Sequence, residues 1–253
     1  MKTIRALVLA LTAATAAPAL ASELVPFPVL ATPQIQATSE TVMRETNFTY
    51  RIQRPEDANG RTIILMHGSG GDETTLVPLA AKIDPNATLI GIRGRIVQDG
   101  VKRWYKRLTP TSFDQTDIRA EAAAFAAFFA RLVKSEQIDL ARTTFLDYSN
   151  GANLIAAVSV LHPDIVNSAV LLRPMPVLDT APHANLTKAR FLTIAGRDDT
   201  LYAPFAPKLE AMFKACGADV VSKTIIAGHA IGDEDAKLAS EWLAGLQVAT
   251  AEK

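Results

Sequence analysis

The chain has 253 residues, 49% of them hydrophobic and 21% charged, with 26 basic against 26 acidic side chains. That length supports one large α/β domain or two small ones, and a formal charge of zero argues against a nucleic-acid partner. A single cysteine, Cys216, excludes an internal disulfide framework, and it lacks the neighbours of a zinc site.

From the N-terminus, residues 1–21 read as a cleavable export signal. Lys2 and Arg5 precede a short apolar run, and Ala19-Leu20-Ala21 offers a cleavage site before Ser22. The run is too short for a good membrane span, so no stable membrane insertion is expected after cleavage. The predicted destination is the periplasm or the medium. Residues 22–46, with Pro26, Pro28 and Pro33, read as an extended arm, and 47–253 as a single domain.

Alternating polarity predicts a strand over 47–54. Continuous apolar runs predict strands over 61–68, 87–94, 142–149, 167–174, 190–197 and 219–228, the pattern of strands buried on both faces. Helical periodicity lies between them. Ile118, Ala122, Phe125, Phe129 and Leu132 form one apolar stripe. Further helices are expected over 150–161, 204–216 and 233–246. Strands alternating with helices imply an α/β fold, with a mostly parallel central sheet and helices on both faces. Ligands of such sheets bind at the carboxyl ends of strands, so the residues just beyond each strand carry the functional question.

Three of those ends hold the groups needed for acyl transfer. Ser149 follows one strand, Asp198 and Asp199 another, and His229 a third. A serine hydroxyl needs a histidine to take its proton, and the histidine needs an acid to hold its tautomer. The order Ser, Asp, His is that of α/β hydrolases. "MHGSGGDE" (66–73) supplies a glycine-rich turn for an oxyanion, with the main-chain N–H groups of Ser69 and Asn150 as candidate donors. Each element also has a plainer reading. Ser149 is placed to be a helix N-cap, and an Asp-Asp pair suits a turn. His67 reads as structural. No pair of histidines has metal-ligand spacing, so neither a metal nor another cofactor is expected.

Over about 47–246 the chain resembles the phospholipase/carboxylesterase family of α/β hydrolases, in particular its bacterial carboxylesterase branch, related to acyl-protein thioesterases. The resemblance rests on "ILMHGSGGDETTLVPLA", "IRGRIVQDGVKRWYKRL", "YSNGANLIAA", "VLLRPMPVL", "AGRDDTLYAP" and "AGHAIGDEDAKLASEWL". It implies an α/β-hydrolase fold, Ser149 as nucleophile, His229 as base, Asp199 as acid with Asp198 as the fallback, and Ser69 and Asn150 as oxyanion donors. It also implies short-chain carboxylic esters as substrates, with thioesters or lysophospholipids as further options.

Asp147 departs from the family pattern, which has glycine two residues before the serine. Its carboxylate must point away from the crowded side of the turn, bond to nearby N–H groups, or widen the turn. Around the serine, residues 96–113, with Arg103, Trp104, Tyr105 and Phe113, and residues 173–183, with Met175, are candidate rims. Trp104, Tyr105 and Met175 are the predicted substrate-pocket residues. The alternative for Trp104 and Tyr105 is that they simply pack the loop. The expected activity is serine ester hydrolysis on a small-molecule ester. A non-catalytic exported binding protein and a secreted polyester depolymerase are the competing readings.

Overall fold

The computed structural model describes residues 39–44 and 48–251, all within the unit Gln34–Lys253. The expected signal over 1–21 and most of the arm over 22–46 lie outside the described residues.

In chain order the elements are β1 (Ser39–Arg44), β2 (Thr49–Arg54), β3 (Thr62–Met66), α1 (Val77–Ile83) and β4 (Thr88–Arg93). Two small hairpins follow, β5 (Ile96–Gln98) with β6 (Val101–Arg103), and β7 (Arg107–Thr109) with β8 (Ser112–Phe113). Then come α2 (Gln115–Ser135), β9 (Thr143–Tyr148), α3 (Asn150–Leu161), β10 (Ser168–Leu172), β11 (Arg190–Gly196), α4 (Ala206–Ala215), β12 (Asp219–Ile225) and α5 (Asp233–Ala251).

Eight strands form one sheet in the order β1-β2-β4-β3-β9-β10-β11-β12. β2 runs antiparallel to both β1 and β4, and every other neighbouring pair is parallel. The expected α/β-hydrolase fold with a mostly parallel sheet is what the chain adopts. A parallel neighbour needs a crossover, which a helix supplies in most cases and the irregular segment 173–189 supplies between β10 and β11.

The inner strands of the sheet are buried on both faces, whereas the edge strand β12, expected to be buried likewise, is largely exposed. In β3, Ile64 and Met66 join the larger core with α2, α3 and α4, while Ile63 and Leu65 join a second core with α1 and α5. The predicted stripe of α2 (Ile118, Ala122, Phe125, Phe129 and Leu132) is buried throughout. Asp114 caps that helix by accepting from the N–H groups of Thr116 and Asp117. Phe125 stacks on Phe129 and meets Phe48, Trp104 and Phe145, so aromatic side chains of the larger core converge on one face of β9. Among the described residues no helix is long and apolar enough to cross a membrane.

Candidate active site

The carboxyl ends of β3, β9, β11 and β12 bring the predicted groups together. Ser149 sits between β9 and α3 with φ 49° and ψ −110°, a conformation that disfavours any side chain. Neighbouring bonds hold it there. Its N–H donates to Leu172 O at 2.8 Å and its carbonyl accepts from Asn153 N at 2.9 Å. Two residues on, Gly151 has no space for a side chain: a Cβ there would run into the carbonyl oxygens of Met66 and His67. The start of α3 is thus pressed onto the end of β3. The hydroxyl of Ser149 caps no helix N–H, which removes the N-cap reading.

Ser149 Oγ lies 2.9 Å from His229 Nε2, and His229 Nδ1 lies 2.6 Å from Asp199 Oδ2. A carboxylate can only accept, so Nδ1–H donates to Asp199 and Nε2 is left to accept from the serine. Asp199 is buried, and its other oxygen accepts from Tyr202 N. Asp198 is exposed and pairs with Arg197 at 3.1 Å, away from the histidine.

The glycine-rich turn lies against the serine: a Cβ on Gly68 would sit 3.6 Å from Ser149 Cβ. The N–H groups of Ser69 and Asn150 donate to no acceptor among the described residues. Asn150 N also opens α3, whose partial positive charge favours an anion there. His67 is the structural group expected. Nδ1–H donates to Gly68 O at 2.6 Å, Nε2 accepts from Gly94 N at 2.9 Å, and burial lowers its proton affinity.

Trp104, Tyr105 and Met175 require a correction. All three are at most 2% exposed and belong to the larger core, so they do not line an open acyl pocket. The alternative weighed for the first two, loop packing, is what they do. Trp104 N donates to Asn150 Oδ1, and its indole N–H donates to His67 O, both at 2.8 Å. Asn153 Nδ2 donates to the Tyr105 hydroxyl at 3.2 Å, while Asn153 Oδ1 accepts from Met175 N at 2.7 Å. These side chains brace the first turn of α3 from behind, where apolar rings gain most by leaving water.

Asp147 is fully buried, and its carboxylate oxygens have no hydrogen-bond partner among the described residues. Strand alternation turns it to the same side as Phe145, toward the layer of α2 and α3. Burial pushes its carboxyl well above the usual carboxylate range. The main chain of Met66 on β3 is the one polar group that favours the anion, and it does not reach hydrogen-bond geometry. Of the outcomes open for this residue, bonding to nearby N–H groups is not realised. The turn itself is not opened, since Ser149 and His229 remain in contact.

Sequence reasoning passed over Arg173 as a site component. It follows β10 at φ 52° and its side chain is fully buried. It pairs with Asp235 through Nη1 at 2.7 Å and Nη2 at 3.1 Å. Nε also donates to Gly228 O at 2.9 Å and Nη2 to Ala230 O at 2.7 Å, one residue either side of His229. Tyr148 completes the clamp by donating to His229 O at 3.0 Å. The signal was present in "VLLRP", where an arginine ends a buried apolar strand. Arg173→Met is expected to cost about 3–5 kcal/mol in urea unfolding, because it strands the Asp235 charge. Arg173→Met combined with Asp235→Leu should recover part of that loss. If the double variant is no more stable than the single, the pair is not what holds the loop.

No protein-family profile matches the chain. A carboxylesterase from Mesorhizobium loti, known from its crystal structure, is 48% identical to it. The match covers 81% of this chain and 99% of that one, with a TM-score of 0.79. A Bacillus cereus carboxylesterase is 26% identical over 78% of this chain and 94% of its own, with a TM-score of 0.74. MhqD of Bacillus subtilis, provisionally designated a hydrolase, is 29% identical over 181 residues, 71% of this chain and 90% of its own. With the sheet order and the strand-end groups above, this similarity means that the chain belongs to the phospholipase/carboxylesterase family of α/β hydrolases, serine ester hydrolases built on this fold.

Proposed function

We propose that the protein is an exported carboxylesterase that hydrolyses small or short-chain carboxylic esters through Ser149, His229 and Asp199. Ser149 Oγ attacks the ester carbonyl while His229 Nε2 takes its proton. Asp199 holds the imidazole in the Nδ1–H tautomer and stabilises the imidazolium that forms. The carbonyl oxygen becomes an oxyanion facing the N–H groups of Ser69 and Asn150. His229 then protonates the leaving alcohol, and the acyl group remains on Ser149. Water, deprotonated by His229, attacks the acyl-enzyme and releases the acid, restoring the serine. No cofactor is needed for these steps.

The observation that carries this reading is the continuous line Ser149–His229–Asp199, with links of 2.9 and 2.6 Å, beside two uncommitted main-chain donors. Export rests on Lys2, Arg5, the apolar run and Ala19-Leu20-Ala21. Small-molecule esters are the proposed partners.

One experiment addresses both parts. In a bacterial host, the exported fraction is expected to contain a chain beginning at Ser22 that a fluorophosphonate labels at Ser149. His229→Ala is expected to abolish that labelling, because only an activated serine reacts. Labelling that survives His229→Ala refutes the triad. Ester binding without labelling favours a binding protein. A chain kept in the cytoplasm with residues 1–21 intact refutes export.

A further inference from the structure

Two arginines are buried among the described residues, Arg103 at 7% exposure and Arg173 at 2%. Their surroundings differ. Arg173 is neutralised by Asp235. Among the described residues Arg103 has no carboxylate partner: Nη1 donates to the Ser69 hydroxyl at 2.8 Å, and Nε is sealed from solvent without an acceptor. Nη2 has no partner among the described residues either and is not sealed off. A guanidinium cannot escape burial by releasing its proton at any ordinary pH. An unpaired charge in such a place is unfavourable unless something else supplies the counter-charge.

Position says where that counter-charge would come from. Arg103 ends β6, and the hairpin it belongs to is fastened across the site. Gly70 N in the glycine-rich turn donates to Lys102 O at 2.9 Å, and Trp104 N donates to Asn150 Oδ1. The guanidinium is thereby fixed on Ser69. Around it, the electrostatic neighbours are Arg107, Tyr105, Asp99 and Tyr202. Asp99 is exposed and makes no ion pair with it. Tyr202 also meets the His229 ring, with centroids 4.9 Å apart. The positive charge thus touches the glycine-rich turn at Ser69, the residue whose N–H faces the proposed oxyanion, and lies within electrostatic range of Tyr202, which packs on His229.

We infer that Arg103 anchors a carboxylate carried by the ester itself, so that the preferred substrates are half-esters of short dicarboxylic acids. This rests on the esterase reading above and narrows its substrate class. The unsealed Nη2 suits a carboxylate, and the Ser69 hydroxyl holds the guanidinium in orientation. Arg103 is a specificity-determining residue and takes no part in proton transfer.

The test compares the monomethyl and dimethyl esters of succinate, glutarate and adipate, following methanol release. The wild type is expected to favour at least one half-ester over its diester in kcat/KM by about tenfold or more, the scale of a hydrogen bond to a charged group. Arg103→Met is expected to lower that ratio by about 10- to 100-fold, mostly through KM, with Arg103→Lys intermediate. A merely structural arginine would shift both esters together and leave the ratio alone. If Arg103→Met does not fold, free glutarate supplies the measurement on the wild type. It should inhibit diester hydrolysis competitively, and better than the uncharged diamide of glutarate does. Diester hydrolysis with no half-ester preference at any of the three lengths, or a ratio unchanged in Arg103→Met, overturns the inference while leaving the esterase intact. Failure to hydrolyse any ester, together with absent Ser149 labelling, defeats both.

Discussion

Ser149→Ala is expected to lower kcat for p-nitrophenyl acetate by about 10⁴- to 10⁶-fold, with KM much less affected. The size of the effect follows from how the three groups share one task. Without the hydroxyl there is no acyl-enzyme, and His229 has no proton to take from a nucleophile. His229→Ala should cost nearly as much, because an unassisted serine hydroxyl is a poor nucleophile at neutral pH. The double variant should be little worse than either single variant, since each already disables the unit. The activity that remains would come from ester binding and from the N–H groups beside Ser149, which the substitution leaves in place. Fold stability should change little. The strained φ of 49° at this position is set by the main-chain bonds to Leu172 and Asn153, which alanine also makes. A kcat within tenfold of the wild type, read by p-nitrophenolate release, would mean that another group performs the attack.

Asp147 should have its largest effect on stability, and the sign follows from linkage. Burial raises its folded-state pKa well above the unfolded value near 3.8. At low pH both states are protonated and no ionisation penalty arises. As pH rises above about 4, the unfolded chain releases the proton that the folded chain keeps. Stability then falls by about 1.4 kcal/mol per pH unit until the folded-state pKa is reached. Asp147→Asn keeps the shape and removes the titration, so its advantage over the wild type should grow with pH across that window. Asp147→Gly also removes the buried oxygens, whose missing hydrogen bonds cost about 1–3 kcal/mol, against about 0.5–1 kcal/mol for glycine's extra backbone freedom. Urea unfolding at pH 4, 6 and 8 reads both variants. A pH-independent difference between Asp147→Asn and the wild type would show that the carboxyl ionises normally in the folded chain. Hydrolysis should persist in both variants, because Ser149 reaches His229 with the aspartate present and has no need of its charge.

The two residues illustrate different degrees of legibility. Ser149 was visible in the sequence because a strand, a sharp turn and a helix are local patterns, each written in a dozen consecutive residues. Asp147 was visible only as an anomaly. Its consequence depends on what β3, β10 and the layer of α2 and α3 place around it, and no neighbouring letter records that. Trp104 and Tyr105 were misread for a related reason. Aromatic residues in an irregular stretch look like a rim, until the short β5–β6 hairpin carries them under α3. Hairpins of three-residue strands leave almost no periodicity to detect.

By itself, then, the sequence determined seven of the eight strands of the main sheet, though not β1, together with the main helices and the presence of Ser, Asp and His at strand ends in hydrolase order. Hydrophobic period and strand-end position are local properties, and most of the sheet's parallel arrangement follows from the helices between strands. Only the tertiary structure decided which aspartate meets His229, which arginine has a counter-charge and which has none, and where the aromatic side chains go. Those outcomes rest on pairings such as Asp199 with His229, Arg173 with Asp235 and Ser69 with Arg103, each between residues 30 to 62 positions apart. Hydrogen bonds and ion pairs of that kind are set by the approach of distant segments, which the folded sheet fixes and the linear order does not.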